Sequence, residues 1–403
     1  MRNVVFVTPF PSRAMEDLHA AAGLSEVRLL GITQEAPRGG GAAALVDFVT
    51  VDDTDDSAQL VAAARVLERR HGPIHRVLGI RESLQVAVGE VRRALGVPGL
   101  GPDIAERFRN KARMKDELRR HGLPCARHRL LRSWSDAEAA ISELGLPLVA
   151  KPLAGVATHG VCRIRTVDEL RAALLTLQVS PDNPALVEEM VVGREFTFDT
   201  ITIGGEVRFH SMAHYFRTPL EATEDPDRRF VIVLPRDISG PEWSGAEELG
   251  IRALAALGFD TGATHMEWFR RDDGSLAIGE IAARPAGFTI HTMIGLAYDI
   301  DIERAWARAV VDDAFDGPFT RRYAVGCACL RGVGSGRVLR VTGVDRVQQL
   351  IGGLIAEAHL PEPGASRNDS YVGDGHIIVR HPDTAVVLAA IHTILDTIEI
   401  AYG

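Results

Sequence analysis

The sequence predicts a multidomain chain of α/β and α+β class: a doubly wound parallel-sheet domain first, a mixed α/β region in the middle and a small α+β module last. Three observations carry this. Strand and helix signals alternate over the first 100 or so residues, a hairpin that turns charge inward lies at 263–287, and Gly/Pro-rich connections fall at Pro98–Pro102 and near 312–317. The expected domains are therefore 1–103, 104–316 and 317–403. A length of 403 residues accommodates two or three domains with a sizeable core.

Composition narrows the function. A net charge of -9 without a basic run argues against a nucleic-acid partner. The opening MRNVVFVTPF breaks at Pro9 and Pro11 and reads as a first strand, not as a secretory leader. No apolar run approaches the ~20 residues of a membrane span. Cys125, Cys162, Cys327 and Cys329 lack CxxC spacing and read as thiols of a reducing compartment, so the expected location is cytoplasmic. Of 45 basic residues only Lys111, Lys115 and Lys151 are lysines. A lysine surviving such a bias suits a task for a compact point charge, such as end-on approach to a phosphate, although for Lys115 alone chance is a sufficient account.

In chain order, Val4–Thr8, Glu26–Gly31, Phe48–Val51 and Arg76–Ile80 read as strands, and Ser57–Arg70 and Glu82–Leu95 as helices. No GxGxxG follows the first strand, which argues against a dinucleotide site, and Gly39-Gly40-Gly41 reads as a flexible loop. Glu82 opens a helix after a strand. That places it either where open sheets bind ligands or simply at the positive end of a helix dipole. One helix is expected from about Ile104 to Gly122, carrying Lys111 and Lys115 on one face. LPLVAKPLAGVATHGVCRI then runs from a strand through Lys151 into a loop with Gly155 and Gly160, where glycines let backbone N–H groups approach a phosphate.

After a helix at Val167–Leu177, VEEMVVGREF sets Glu188 and Glu195 seven apart across a Gly193 turn. They are either acceptors for sugar and amine groups or solvated edge carboxylates. Residues 213–240 read as a long lid-like loop around the short strand Phe230–Leu234, and His210 and His214 lack zinc spacing. Helices are expected at Glu242–Leu257 and Asp299–Val311. The C-terminal module, with strands at 322–331, 336–343 and 374–380 and helices near 344–350 and 382–396, shows no catalytic constellation.

Between them lies ATHMEWFRRDDGSLAIGEIAARPAG. Thr264–Phe269 alternates as a half-buried strand does, Leu276–Ile281 less cleanly, and Asp273-Gly274 is a two-residue hairpin signal. Counting out from that turn sets Glu267 opposite Glu280, about 4.5–5.5 Å apart at Cβ, where like charges repel. Either a cation such as Mg²⁺ sits between them or the hairpin is exposed. Arg284 stands at the strand's exit as a fixed fork for an anion.

Taken together these motifs resemble the ATP-grasp superfamily, and within it the carboxylate–amine ligases of the L-amino-acid-ligase type. The resemblance covers most of the chain and implies an ATP-grasp fold with an N-terminal Rossmann-like pre-grasp domain, the ATP-grasp domain dividing into a subdomain with the Lys151 loop at about 120–190 and a catalytic one at about 191–316. NKARMK supplies the family's first ATP lysine at Lys111; AKPLAGVATHGV supplies the second at Lys151, with Thr158 in the usual serine's place and Gly160 in the loop. Glu188 is implied to accept from the adenine amine, the backbone of Glu189 and Val191 to reach its ring, and Glu195 to hold the ribose. Glu267 and Glu280 fall on the metal carboxylates for Mg²⁺ or Mn²⁺. Arg284 falls on the arginine that steadies the acyl phosphate, with Glu82, His214 and Gly287 toward the substrates and His214 or a carboxylate of the lid a candidate base. The chain departs at Ala282, where the family's E-x-N-x-R carries an asparagine ligand. The implied reaction joins a small-molecule carboxylate to an amine, with a homodimer possible. Carboxylation or formyl transfer through the same fold, and a non-catalytic ATP sensor, stand as alternatives.

Overall fold

The computed structural model describes residues 1–155, 158–225 and 229–403. Val156 and Ala157 of the expected glycine loop, and Pro226 to Arg228 of the expected lid, lie outside the described residues. β1 (Arg2–Thr8), β2 (Val27–Thr33), β3 (Asp47–Thr50) and β4 (Ile74–Leu78) form a parallel sheet in the order β3-β2-β1-β4. Val4 to Val7 are fully buried, as a strand covered on both faces requires. The helix Ser57–His71 begins at Asp56, whose carboxylate accepts from the Ala58 and Gln59 amides. The triple glycine opens a short helix, Gly39–Ala44, where a loop was expected, and Gly41 fits closely against Pro11.

The single helix expected over 104–122 is two, Pro102–Arg109 and Lys111–Arg120. Asn110 separates them because its side chain caps the second helix, accepting from Ala112 and Arg113. Lys111 is thereby the first residue of that helix, and its amide donates to Leu153 O at 3.0 Å. β5 (His128–Leu131), β6 (Leu148–Pro152), β7 (Cys162–Ile164) and β8 (Ala185–Glu189) form an antiparallel sheet, order β5-β8-β6-β7. Helices Trp134–Leu144 and Val167–Thr176 pack against it to enclose a small core of their own.

The largest sheet is built from β9 (Arg194–Ile203), β10 (Glu206–Tyr215), β11 (Val231–Leu234), β12 (Gly262–Arg270), β13 (Leu276–Ala282) and β14 (Ala324–Leu330). After β15 (Val338–Thr342) it takes in β16 (Ile355–His359) and β17 (Gly375–His381), and β18 (Glu399–Tyr402) pairs with β15. Its order is β13-β12-β9-β10-β11-β14-β17-β16, so the C-terminal strands continue this sheet through the β11–β14 pairing. Residues 213–240 accordingly contain more regular structure than expected. β10 runs to Tyr215, Pro219–Glu224 is a helix with a Thr218/Glu221 capping box, and β11 is buried throughout. A helix at Ile290–Tyr298 went unread, and the one expected from Asp299 begins at Ile302, capped by Asp301.

Alternation along β9 divides the sheet's two faces. Phe196 and Phe198 pack into a core with Trp268 and the helix Ala246–Leu257, which comes so close that a Cβ on Gly250 would stand 2.4 Å from Phe198. Glu195, Thr197 and Asp199 point the other way, toward the functional site.

Candidate active site

A cavity of about 450 Å³ lies between the β5–β8 sheet and the inward face of the large sheet. Lys111, Lys151, Glu188, Glu267, Glu280 and Arg284 all line it. Four of the six, Lys151, Glu188, Glu267 and Glu280, stand on strands, which fixes direction as well as position.

Glu267 does face Glu280, but by a different route from the one the turn suggested. Arg271 N donates to Ser275 O and Gly274 N to Arg271 O, so the turn spans three residues, Asp272 to Gly274, with Gly274 at φ 82°. That turn alone pairs Trp268 with Ile278 and would miss the glutamates by one residue. A bulge at Gly279 absorbs the extra residue and restores Glu267 to Glu280. Only glycine fits there: a Cβ would stand 2.9 Å from the Phe269 ring and 3.1 Å from Glu267 O.

A divalent cation is not the only charge that relieves the pair. Lys111 Nζ lies 2.8 Å from Glu280 Oε1, and although burial pushes the Glu280 carboxyl up, that ammonium holds it below its usual range. His265 Nε2 lies 3.7 Å from Glu267 Oε1, and its Nδ1 is 2.6 Å from Asp199 Oδ1. Burial opposes the imidazole's charge, but Asp199 overcomes it and raises the pKa to about 9. Thr197 donates to the other Asp199 oxygen at 2.7 Å. Sequence reasoning missed this Asp199–His265 pair. Strand alternation was the available signal, because His265 and Glu267 share a face.

Two of the rare lysines clamp one carboxylate. Glu188 Oε1 lies 2.6 Å from Lys151 Nζ and its Oε2 2.9 Å from Lys115 Nζ. Burial alone would raise the Glu188 pKa, yet the two ammoniums hold it at about 2. Lys115, for which chance seemed sufficient, is fully buried and also donates to Gly279 O at 3.0 Å, tying the first helix of the site to the bulge. The Glu189 carboxylate turns outward to Arg127 at 2.6 Å, and its amide donates to Arg127 O. The Val191 amide donates to no described residue, while Met190, Val191 and Val192 give the cavity an apolar slot.

Glu195 lies on the cavity floor, and burial with the neighbouring Glu267 and Glu221 carboxylates pushes its pKa well up. Thr158 Oγ1 meets Thr223 Oγ1 at 3.0 Å, and Gly160 turns at φ 74° close to Pro152. Glu82 is buried and receives Arg284 at 3.3 Å on one oxygen and Arg109 at 3.3 Å on the other, while Arg109 also donates to Gly155 O. Glu82 therefore links the turn that follows the first four-stranded sheet, Arg284 and the glycine loop. Gly287 lines the cavity beside Arg284. His214 does not line it. Pairing with Phe196 sends it to the opposite face, where its ring stacks on Phe196 at 4.6 Å and burial lowers its pKa to about 4.

The opposed carboxylates are oxygen donors of the kind Mg²⁺ or Mn²⁺ takes. Ala282 adds no ligand, and among the described residues no three His, Cys, Asp or Glu side chains form a preformed metal cage. The residues thus fit an ion that keeps waters or phosphate oxygens in its remaining positions.

This architecture and cavity define a class. Residues 116–297 match the ATP-grasp domain. Over those residues the chain carries an ATP-grasp domain, and it resembles the carboxylate–amine ligases of the L-amino acid ligase type. It is 27% identical over 258 residues to an L-arginine-specific L-amino acid ligase of Bacillus subtilis, a match covering 62% of this chain and 61% of that protein. It is 29% identical over 264 residues to a D-alanine–D-alanine ligase of Ectopseudomonas mendocina (strain ymp), covering 63% and 79%. Its fold superposes on the crystal structure of an L-amino acid ligase from Bacillus licheniformis with a TM-score of 0.81 at 19% identity, over 100% of this chain and 99% of that one. Among the described residues no helix is long and apolar enough to cross a membrane.

Proposed function

We propose that this protein is an ADP-forming ligase that joins a small-molecule carboxylate, an amino acid or a related acid, to an amine through an acyl phosphate. The supporting observation is the convergence of Lys111, Lys151, Glu267, Glu280 and Arg284 on one cavity with an apolar slot at Met190–Val192. ATP is the first substrate, its adenine in that slot and its phosphates toward the lysines. Lys111 and Lys151 neutralise phosphate charge, and each must exchange its present carboxylate partner for a phosphate oxygen. Mg²⁺ or Mn²⁺ bound by Glu267 and Glu280 supplies further charge neutralisation. A carboxylate oxygen attacks the γ-phosphorus and ADP leaves. The amine nitrogen then attacks the acyl carbon, phosphate leaves, and the amine loses its proton. Arg284, fixed by Glu82, stabilises the developing oxyanion.

The test is ADP release with ATP, Mg²⁺ and pairwise mixtures of amino acids and small carboxylic acids. Release that requires both an acid and an amine supports the ligase. Bicarbonate-dependent release overturns it in favour of a carboxylase, and ATP binding without turnover in favour of a sensor.

A further inference from the structure

Five tyrosines occur in the chain; Tyr323 stacks under Arg380 away from the cavity, and the other four divide by what their hydroxyls do. Tyr298 donates to His210 O at 3.1 Å, and Tyr402 to Asp374. Tyr215, on β10, and Tyr371, on the turn before β17, both line the reaction cavity, and neither hydroxyl hydrogen-bonds to another described residue. A buried phenol normally finds a partner. Tyr215 is only 5% exposed, yet neither tyrosine oxygen is among the buried atoms that lack a partner, so both are open to a group that enters the cavity.

Both rings are fixed by one hub. Phe230 takes the Tyr215 ring edge-on at 5.1 Å and the Tyr371 ring edge-on at 5.0 Å. The Tyr371 turn is pinned from below: Arg331 donates to Asn368 O and Ser370 O, and the Asn368 amide donates to Asp374 Oδ1 at 2.8 Å. Ile232, directly paired with Tyr215, and Ile290 add apolar wall beside them. Burial, with the Glu267 carboxylate next, raises both phenols above their ordinary range, so each remains an O–H donor.

We propose that Tyr215 and Tyr371 form the subsite for the acid substrate, their hydroxyls donating to its carboxylate while Phe230, Ile232 and Ile290 receive an apolar side chain. This rests on the ligase reading and adds a substrate class to it: an amino acid or other carboxylic acid with an aliphatic or aromatic side chain. It also gives the C-terminal module, which carried no recognisable constellation, a direct part in specificity. Rings needed for packing alone would not require the two oxygens.

The variants Tyr215→Phe, Tyr371→Phe, the double Phe variant and Phe230→Ala are compared with wild type for ADP release. The acid is L-leucine, L-phenylalanine, L-glutamate or L-arginine, each with every member of an amine panel. Wild type is expected to prefer leucine or phenylalanine. Each Tyr→Phe change is expected to raise KM for that acid about tenfold, as for a lost hydrogen bond to a charged group, with KM for ATP changed less than about twofold. Phe230→Ala is expected to erode the apolar preference. An unchanged acid KM in the double variant overturns the inference, as does a wild-type preference for the charged acids. If wild type releases no ADP with any pair, the ligase reading is lost and calorimetric titration decides the subsite. Leucine or phenylalanine bound by wild type and about tenfold more weakly by the double variant supports it. Equal binding or none overturns it.

Discussion

Lys151 Nζ lies 2.6 Å from Glu188 Oε1, with both groups buried in the cavity wall. A lysine in that position is a compact charge that pivots between a carboxylate and an incoming phosphate, whereas a guanidinium is a larger planar fork. Lys151→Arg is therefore expected to weaken ATP-dependent turnover at least about tenfold, or about 1.4 kcal/mol. ATP kinetics like those of wild type would exclude a phosphate role for Lys151.

Glu188 also compensates Lys115, which has no access to water. Glu188→Gln leaves two buried ammoniums short of a counter-charge and is expected to cost about 3–5 kcal/mol of stability near neutral pH. The pH dependence has a definite sign. The folded pKa is depressed to about 2 from 4.5, so the carboxylate's contribution is present above 4.5 and fades as pH falls toward 2. Denaturant titrations across that window should show the gap between wild type and variant closing as acid is added. A constant gap would exclude the ion-pair account.

The bulge at Gly279 sets the register that brings the two glutamates together. Gly279→Ala forces a Cβ into Phe269 and the Glu267 carbonyl and is expected to cost about 1–3 kcal/mol, with loss of Mg²⁺-dependent ADP release even at temperatures where the variant is folded. A folded variant with full turnover would mean that turnover does not depend on the Glu267–Glu280 register.

Removing both opposed carboxylates tests how their repulsion is handled. If a metal ion alone relieved it, the double variant Glu267→Gln, Glu280→Gln would gain metal-free stability. Because Lys111 and His265 already oppose the pair, the expectation is no gain and a loss of up to about 3 kcal/mol from uncompensated cations, together with abolished turnover. Thermal unfolding without metal and ADP release with it check both parts, and a more stable metal-free variant would contradict the ion-pair assignment.

His214 supplies the control. Buried among aromatic rings on the far face, it should be replaceable by Phe with ADP release changed less than about twofold, within the small effect expected of a substitution away from the site. A large fall in turnover accompanied by normal folding would return His214 to the chemistry.

By itself the sequence determined the parts whose information is local. Alternating strand and helix signals specified the parallel first domain, strand alternation specified the inward face of the hairpin, and the scarcity of lysine singled out the cavity's cations before any of them had a location. Tertiary structure decided what depends on distant partners. The Glu267–Glu280 pairing needed both a three-residue turn and a bulge, and the two shifts cancel in a way no residue count reveals. Lys115 took on a role only when Glu188 and Gly279 arrived from strands 73 and 164 residues away. His214 lost its expected role because β10 extends through it and strand parity sends it to the aromatic core. Tyr371 reached the cavity because β14 and β17 continue the same sheet, carrying a turn with no motif of its own to the substrates' side. Hydrophobic period and turn chemistry act over a few residues, whereas charge pairing and cavity lining are settled only when the whole sheet has closed.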